Sequence, residues 1–326
     1  MAKEEKRIIT ILFEGLKIYT LNLHKFLLYM AFPVLGQLLG IFIVFGLNYW
    51  FTQNLHDLTT KYSNNISVII LLIILSTLPG LIIFMKAFWD YLVAYGALNS
   101  MTEGYINTGK VYDFKSHNEV VLNKTFSFIG LWFLFGIFTL LAIIPIFWVI
   151  GFIFFVYFVL VFQVFTFENG LSPLGYFRRS LQIVKGHFAR TFILMSILTI
   201  LTYFLISSGV SVIFDYFNLT SQITKCLEAW AFTLPIEPVE KYGVTPALIS
   251  SGLLKNIIMF VSVGFTLPLR SICWTLWYNN LSSENNNQDT KKVSKNSKKN
   301  SKTFKIEKRE IDPEIIRRAR LEDDEY

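Results

Sequence analysis

Ser172 to Phe214 reads SPLGYFRRSLQIVKGHFARTFILMSILTILTYFLISSGVSVIF, a basic periodic segment that runs without a break into a long apolar one. Ser172 is a good N-cap and Pro173 a good first helical residue, because the proline ring presets φ where its missing N–H costs nothing. Leu174, Phe177, Leu181, Val184 and Phe188 then recur at helical spacing, which predicts a helix with an apolar stripe, here placed on a membrane surface. Gly186 offers the break at which the chain turns from lying flat to crossing. The 27 apolar-rich positions 188–214 suffice to cross hydrocarbon, since a helix rises about 1.5 Å per residue and needs about 17–25 residues.

Composition extends this reading to the whole chain. Of 326 residues, 53% are hydrophobic, 17% aromatic and only 16% charged, with a mean hydropathy of +0.48. A soluble domain of this size cannot hide that much apolar surface, so the expected class is an all-α integral membrane protein. Six spans are predicted, at about 26–51, 66–97, 125–147, 150–167, 188–214 and 247–279, within a membrane domain covering 1–281. Two cytoplasmic interfacial helices, about 7–23 and 173–187, precede the first and fifth. In the first, Ile8, Leu12, Leu16, Tyr19 and Leu23 form the stripe. The spacing Gly36, Gly40 lets another helix approach closely, and Pro79 with Gly80 predicts a kink. The N-terminus lacks the layout of a cleaved signal peptide.

Charge orients the set. The link between spans four and five carries Arg178, Arg179, Lys185 and Arg190 against Glu168 alone, and both ends of the chain are rich in Lys and Arg. Cytoplasmic loops collect such residues, so both termini are expected in the cytoplasm, which requires an even number of crossings. The net charge of +7 lies beside apolar spans rather than among exposed aromatics, which points to anionic lipid headgroups and not to nucleic acid. Arg178, Arg179, Lys185 and Arg190 are the candidate headgroup-binding residues. Beyond Leu281 the sequence turns abruptly to Lys, Asn and Ser, which predicts a disordered lysine-rich tail over 282–326. Asp312 and Pro313 start a short terminal helix in it, and the tail is a candidate for binding a protein partner or for homo-oligomer contacts.

A repeat is also legible. A shift of about 165 residues lays GLKIYTLNLHKFLLYM (Gly15 to Met30) over SLQIVKGHFARTFILM (Ser180 to Met195), and with a different shift MKAFWDYL (Met85 to Leu92) resembles LRSICWTL (Leu269 to Leu276). Both copies enter from the cytoplasm, so the repeat is a parallel one.

Charges inside spans are costly and few. Lys86 and Asp90 stand four apart on one helical face, and Arg270 needs a partner near the inner boundary; Asp90 and Glu168 are the candidates. Lys86, Asp90, Glu168 and Arg270 thus form a candidate inner-side charge cluster. No HExxH, GxSxG, Walker-type loop or paired acidic motif occurs, and Cys226 and Cys273 stand alone, so no catalytic residue, metal or cofactor is expected. Gln37, Ser76, Thr77, Gln163, Ser196, Thr199 and Thr202 are scattered and weakly polar. The residues favour a non-enzymatic protein of membrane organisation or a partner-binding scaffold. The other reading is a transporter or lipid-handling protein with a cytoplasmic-side cavity between spans two, five and six.

FENGLSPLGYFRRSLQIVKGHFARTFIL (Phe167 to Leu194) resembles the segment ENxxSPxxAFxRSxxLxKGxFxxxF of a broad group of six-span bacterial membrane proteins. That group includes the membrane domain attached to some glycerophosphodiester phosphodiesterases. EGLKIYTLNLHKFL and PLRSICWTLWYNNL resemble the start and end of that domain, so the likeness spans about residues 8–281. It implies the six-span fold and the bacterial cytoplasmic membrane. Phosphodiesterase activity does not carry over, because nothing after Leu281 encodes the separate catalytic barrel.

Overall fold

The computed structural model describes residues 7–61, 66–111, 114–232 and 243–295. Among them there is no strand, and the elements in order are α1 (Ile8–Leu21), α2 (Leu23–Gln53), α3 (Leu55–Lys61), α4 (Ile66–Thr108), α5 (Phe114–Leu122), α6 (Thr125–Ile143), a 3-10 turn (Pro145–Phe147), α7 (Trp148–Phe158), α8 (Val161–Phe167), α9 (Pro173–Val184), α10 (Phe188–Thr199), a π-helical segment (Ile200–Ile206), α11 (Ser207–Tyr216), α12 (Leu219–Ala231) and α13 (Pro246–Lys295). Five stretches are long and apolar enough to cross a membrane: Leu23–Phe51, Ile70–Thr108, Pro145–Phe167, Phe188–Tyr216 and Pro246–Ser283. A sixth arises if α5 and α6, bent by 74° at their junction, count as one broken span. The chain is therefore an all-α protein with the helices of a multi-pass membrane protein.

The chain divides into two compact units. The first takes the chain up to Phe26, Leu92–Leu198 and the chain from Leu267; the second takes Leu27–Tyr91 and Thr199–Thr266.

In the first unit α9 is where the signals for starting and stopping a helix agree best with the backbone. Ser172 has extended backbone and its hydroxyl accepts from Gly175 N–H at 3.2 Å, with Pro173 as the first helical residue. The helix ends at Lys185, and Gly186 follows at φ +91°, a left-handed conformation that L side chains rarely adopt. The buried face is Tyr176, Phe177, Ser180, Ile183 and Val184, while Leu174 is exposed, so the apolar stripe expected from the sequence is rotated by about one position. The face packs on α6, α7 and α8. Phe177 stacks edge-on against Phe158 at 4.9 Å, Ser180 Oγ donates to the Tyr157 carbonyl at 2.7 Å, and Pro173 lies so close to Gly130 that a Cβ there would sit 2.9 Å from its Cγ. Phe128, Trp132, Phe135 and Phe138 continue the aromatic packing from α6 to α7, α8 and α9.

Helix α1 likewise buries one face, with Ile11, Gly15 and Ile18. It begins at Ile8 and α9 at Pro173, and the helices that follow them begin at Leu23 and Phe188; both offsets (173 − 8 and 188 − 23) are 165 residues. Buried positions coincide at that offset, as Ile11 with Tyr176, Gly15 with Ser180 and Ile18 with Ile183. The short break between α1 and α2 is capped by Asn22, whose side-chain amide donates to the Ile18 carbonyl at 3.0 Å.

In the second unit Gly36 and Gly40 hold α2 against α4, as their spacing predicts. A Cβ on Gly40 would stand 2.7 Å from the Gly80 carbonyl oxygen and one on Gly36 2.8 Å from the Ala87 Cβ. Helix α4 continues through Pro79. Val34 of α2 meets Gly264 of α13, and Leu227, Leu254 and Ile258 form a small core with Val210 and Phe214 of α11. The π-helical segment interrupts the stretch Phe188–Tyr216, with Thr202 buried.

Three expectations differ from the structure. The fourth span is divided, because the helical ladder breaks after Phe158 and resumes at Val161. The second span runs on as helix to Thr108, beyond the expected end at 97. The lysine-rich segment expected to be disordered from 282 is helical as far as Lys295. A helix already nucleated by a long apolar run propagates into weak helix formers without a fresh nucleation cost. Residues 296–326, with the expected terminal helix at Asp312 and Pro313, lie outside the described residues.

Candidate functional site

The polar side chains of the first unit concentrate around α8, which is buried at every position from Val161 to Phe167. Asn99 of α4 is the hub. Its Oδ1 accepts from Gln163 Nε2 at 3.2 Å, from Ser271 Oγ at 2.5 Å and from Thr275 Oγ1 at 3.4 Å, and its Nδ2 donates to Thr166 Oγ1 at 3.4 Å. The Thr166 hydroxyl donates to the Phe162 carbonyl at 2.8 Å. Three helices, α4, α8 and α13, are thereby tied at one level. Hydrogen bonds removed from water are needed here, because an unpaired polar group in an apolar interior costs several times what a paired one gains. Gln163 Oε1 alone in this set is buried with no hydrogen-bond partner among the described residues.

Glu168, the residue that closes α8, is 1% exposed. Arg179 Nε donates to both its carboxylate oxygens, at 3.0 and 3.1 Å, and the Tyr278 hydroxyl donates to Oε1 at 2.8 Å. Lys124, which precedes α6, donates to the carbonyls of Phe165 and Glu168 at 3.0 and 3.3 Å and lies 5.4 Å over the Phe165 ring. The last carbonyls of a helix lack intrahelical partners and carry partial negative charge, so an ammonium there caps them and is itself stabilised. Glu168 thus couples α8 to α9 and α13, and Lys124 couples α8 to α6. Burial pushes the Tyr176 phenol above its ordinary pKa; the Glu168 charge adds to this and a hydrogen bond with Ser127 opposes it. Two further bonds lie in the same unit: Trp277 Nε1 donates to Thr191 Oγ1 at 3.0 Å, and Lys25 Nζ donates to the Val111 carbonyl at 3.1 Å.

Of the four candidate headgroup residues, Arg178, Lys185 and Arg190 are exposed. Arg179 is not a surface cation. It stands three residues after Tyr176 and four before Ile183, on the buried side of α9, and its charge is spent on Glu168. The inner-side cluster also differs from expectation. Lys86 and Asp90 do pair, with Nζ 2.6 Å from both carboxylate oxygens, and belong to the second unit. Glu168 and Arg270 belong to the first, but Glu168 is taken by Arg179 and Tyr278, and Arg270 Nη1 is buried with no hydrogen-bond partner among the described residues. The expected pairing of Arg270 with Glu168 is not formed, because Arg179 and Tyr278 hold that carboxylate.

Asn99, Thr166, Ser271, Thr275, Lys124 and Tyr278 escaped the reading of the sequence. The signal for them was weak: Asn99 and Ser100 end an apolar run, and Gln163 stands in another, but nothing in the spacing places them at one depth. The arrangement holds helices in register and neutralises its buried charges in place. No family model matches the chain, and neither a curated protein nor a solved structure is detectably similar to it.

Proposed function

We propose that the chain is a six-span, non-enzymatic protein of the bacterial cytoplasmic membrane, with both termini in the cytoplasm, acting in membrane organisation or as a partner-binding scaffold. The observation that carries this reading is the mutual pairing of polar groups around α8: Glu168 bonds with Arg179 and Tyr278, and Asn99 with Gln163, Ser271 and Thr275. Such a network fixes a frame and offers no acid, base or nucleophile to a substrate. Helix α6 supplies the sixth crossing in this reading, since its 19 residues extend for about 28 Å, close to the hydrocarbon thickness of about 30 Å. The common offset of 165 residues between α1–α2 and α9–α10 supports a parallel repeat of an interfacial helix joined to a span. Exposed Arg178, Lys185 and Arg190 then face lipid phosphates, and the lysine-rich tail is the surface for a protein partner or a second copy.

A second reading, lipid handling, is favoured by the character of the concavities. A crevice of about 240 Å³ lies in the α6–α7 hairpin, walled by Phe135, Phe138, Phe154 and Phe158, and one of about 570 Å³ lies in the second unit between α2 and α12. Both are apolar. The experiment that tests the scaffold reading is affinity purification of the full chain in native lipid, with co-purifying proteins and lipids identified. The expected result is a protein partner or a defined oligomer that is lost when residues 296–326 are deleted. A lone chain carrying one stoichiometric lipid class overturns the scaffold in favour of lipid handling.

A further inference from the structure

We propose that the crevice between the later part of α2 and α12 is a lipid site that takes one acyl chain of a phospholipid, with Lys225 at its rim for the phosphate. Phe42, Phe45 and Tyr49 of α2 form one wall, and Gln222, Leu227 and Trp230 of α12 contribute to the other. The Phe45 and Trp230 rings meet at 4.6 Å and join the two walls. At about 570 Å³ the space lies within the range of about 300–1,000 Å³ typical of small-ligand sites.

The chemistry of the walls selects the occupant. Phe42 to Tyr49 belong to the stretch Leu23–Phe51, which is apolar and long enough to cross a membrane, so this wall stands in hydrocarbon. What enters from that side is an acyl chain. The rim is different. Lys225 follows Gln222 by three residues and precedes Ala229 by four, so on a helix it neighbours both of these lining positions. Lys225 and Gln222 are exposed, and together they present a cation and an amide to a headgroup phosphate where the apolar wall ends. Tyr49 and Trp50 stand at the same end of the span, where amphipathic rings prefer the interface. Gly46 opens the space: a Cβ on it would meet nothing within 4 Å. The proposal rests on α2 crossing a bilayer, and on no choice between scaffold and lipid handling.

The test uses the full chain in bilayers of phosphatidylethanolamine and phosphatidylglycerol containing phosphatidylglycerol with a photoreactive group on its acyl chain. Adducts are expected to concentrate on the peptides bearing Phe42–Tyr49 and Gln222–Trp230. Gly46→Leu fills the crevice and is expected to reduce those adducts severalfold while leaving the others, and Gly136→Leu, another position where a Cβ meets nothing, is expected to change none. Lys225→Glu is expected to reduce them roughly fivefold or more, the equilibrium equivalent of losing one lysine's attraction to an anionic lipid. Cys226, exposed in the wall, gives an independent readout. Its reaction with maleimide is expected to be slower with diacyl lipid than in short-chain detergent, and Gly46→Leu to abolish that difference. Adducts spread evenly over all lipid-facing helices, or crevice adducts indifferent to Gly46→Leu, overturn the site. Protection of Cys226 that grows with protein density but not with lipid overturns it in favour of a second copy. Adducts nowhere on the chain overturn the bilayer placement of α2 itself.

Discussion

Replacing Arg179 by Met should destabilise the protein more than replacing any other arginine described above. The substitution keeps an unbranched aliphatic side chain at this position and removes both hydrogen bonds to Glu168, which is 1% exposed. A buried carboxylate without its cation costs about 3–5 kcal/mol, because the desolvation already incurred is no longer offset. Tyr278→Phe removes one hydrogen bond to the same charge and should cost about 1.5–3 kcal/mol. The double variant Glu168→Gln with Arg179→Met removes the charge with its partner, and should recover most of the loss, giving a coupling of about 2–3 kcal/mol between the two sites. Arg178→Met, one position away on the exposed side, should stay within about 0.5 kcal/mol of the parent. Equilibrium unfolding in mixed micelles of increasing SDS fraction reads these four and the Glu168→Gln single that closes the cycle. An Arg179→Met protein as stable as the parent, or a double variant whose cost is the sum of the singles, would refute the inward placement of this side chain.

Three further outcomes follow from the packing and titration. Arg270→Met should cost less than about 1 kcal/mol by the same unfolding measurement, since the buried Nη1 has no hydrogen bond to lose, and Arg270→Glu with Glu168→Arg should not rescue expression lost by the single changes. Gly40→Ala forces α2 away from the Gly80 carbonyl and should cost about 1–3 kcal/mol, whereas Gly46→Ala, with open space around it, should be neutral or stabilising by up to about 1 kcal/mol; a matched effect at the two glycines would refute the close crossing. Burial pushes the Tyr19 phenol of α1 up to about 12. Its folded pKa exceeds the unfolded value near 10, so its contribution is complete below pH 10 and is lost as pH rises from 10 through about 12. Tyr19→Phe should flatten the fall in stability across that window, and an unchanged profile would show that the ring is solvated.

The helices that follow from one-dimensional information alone were the legible part. Long apolar runs set the starts of α2, α4, α10 and α13 to within a few residues, because the bilayer requirement acts on each segment separately. Ser172, Pro173 and Gly186 fixed the ends of α9 for the same reason, each acting on its own backbone. The rotation of α9 was less legible. Arg178 and Arg179 are chemically identical and adjacent, and only the packing of Phe177 on Phe158 and Phe138 decides which of them turns inward. Gln163 looked like one scattered polar residue because its partner Asn99 lies 64 residues before it, and Asn99 in turn accepts from Ser271 on α13. Pairings of that range leave no trace in local periodicity. The likeness to a known six-span group remains an expectation on the residues that carry it.

The carboxylate of Glu168 also imposes an order in time. Arg179 lies 11 residues after it, whereas Tyr278 lies 110 residues after it. At synthesis rates of about 5–20 residues per second, the ion pair is available within roughly 0.5–2 s of Glu168 leaving the ribosome, and the phenol arrives only after roughly 5–20 s. For that interval the half-made chain holds a neutralised charge with one acceptor still open, facing the place that α13 will fill. Glu168 therefore has its full set of donors only once Tyr278 of α13 is in place.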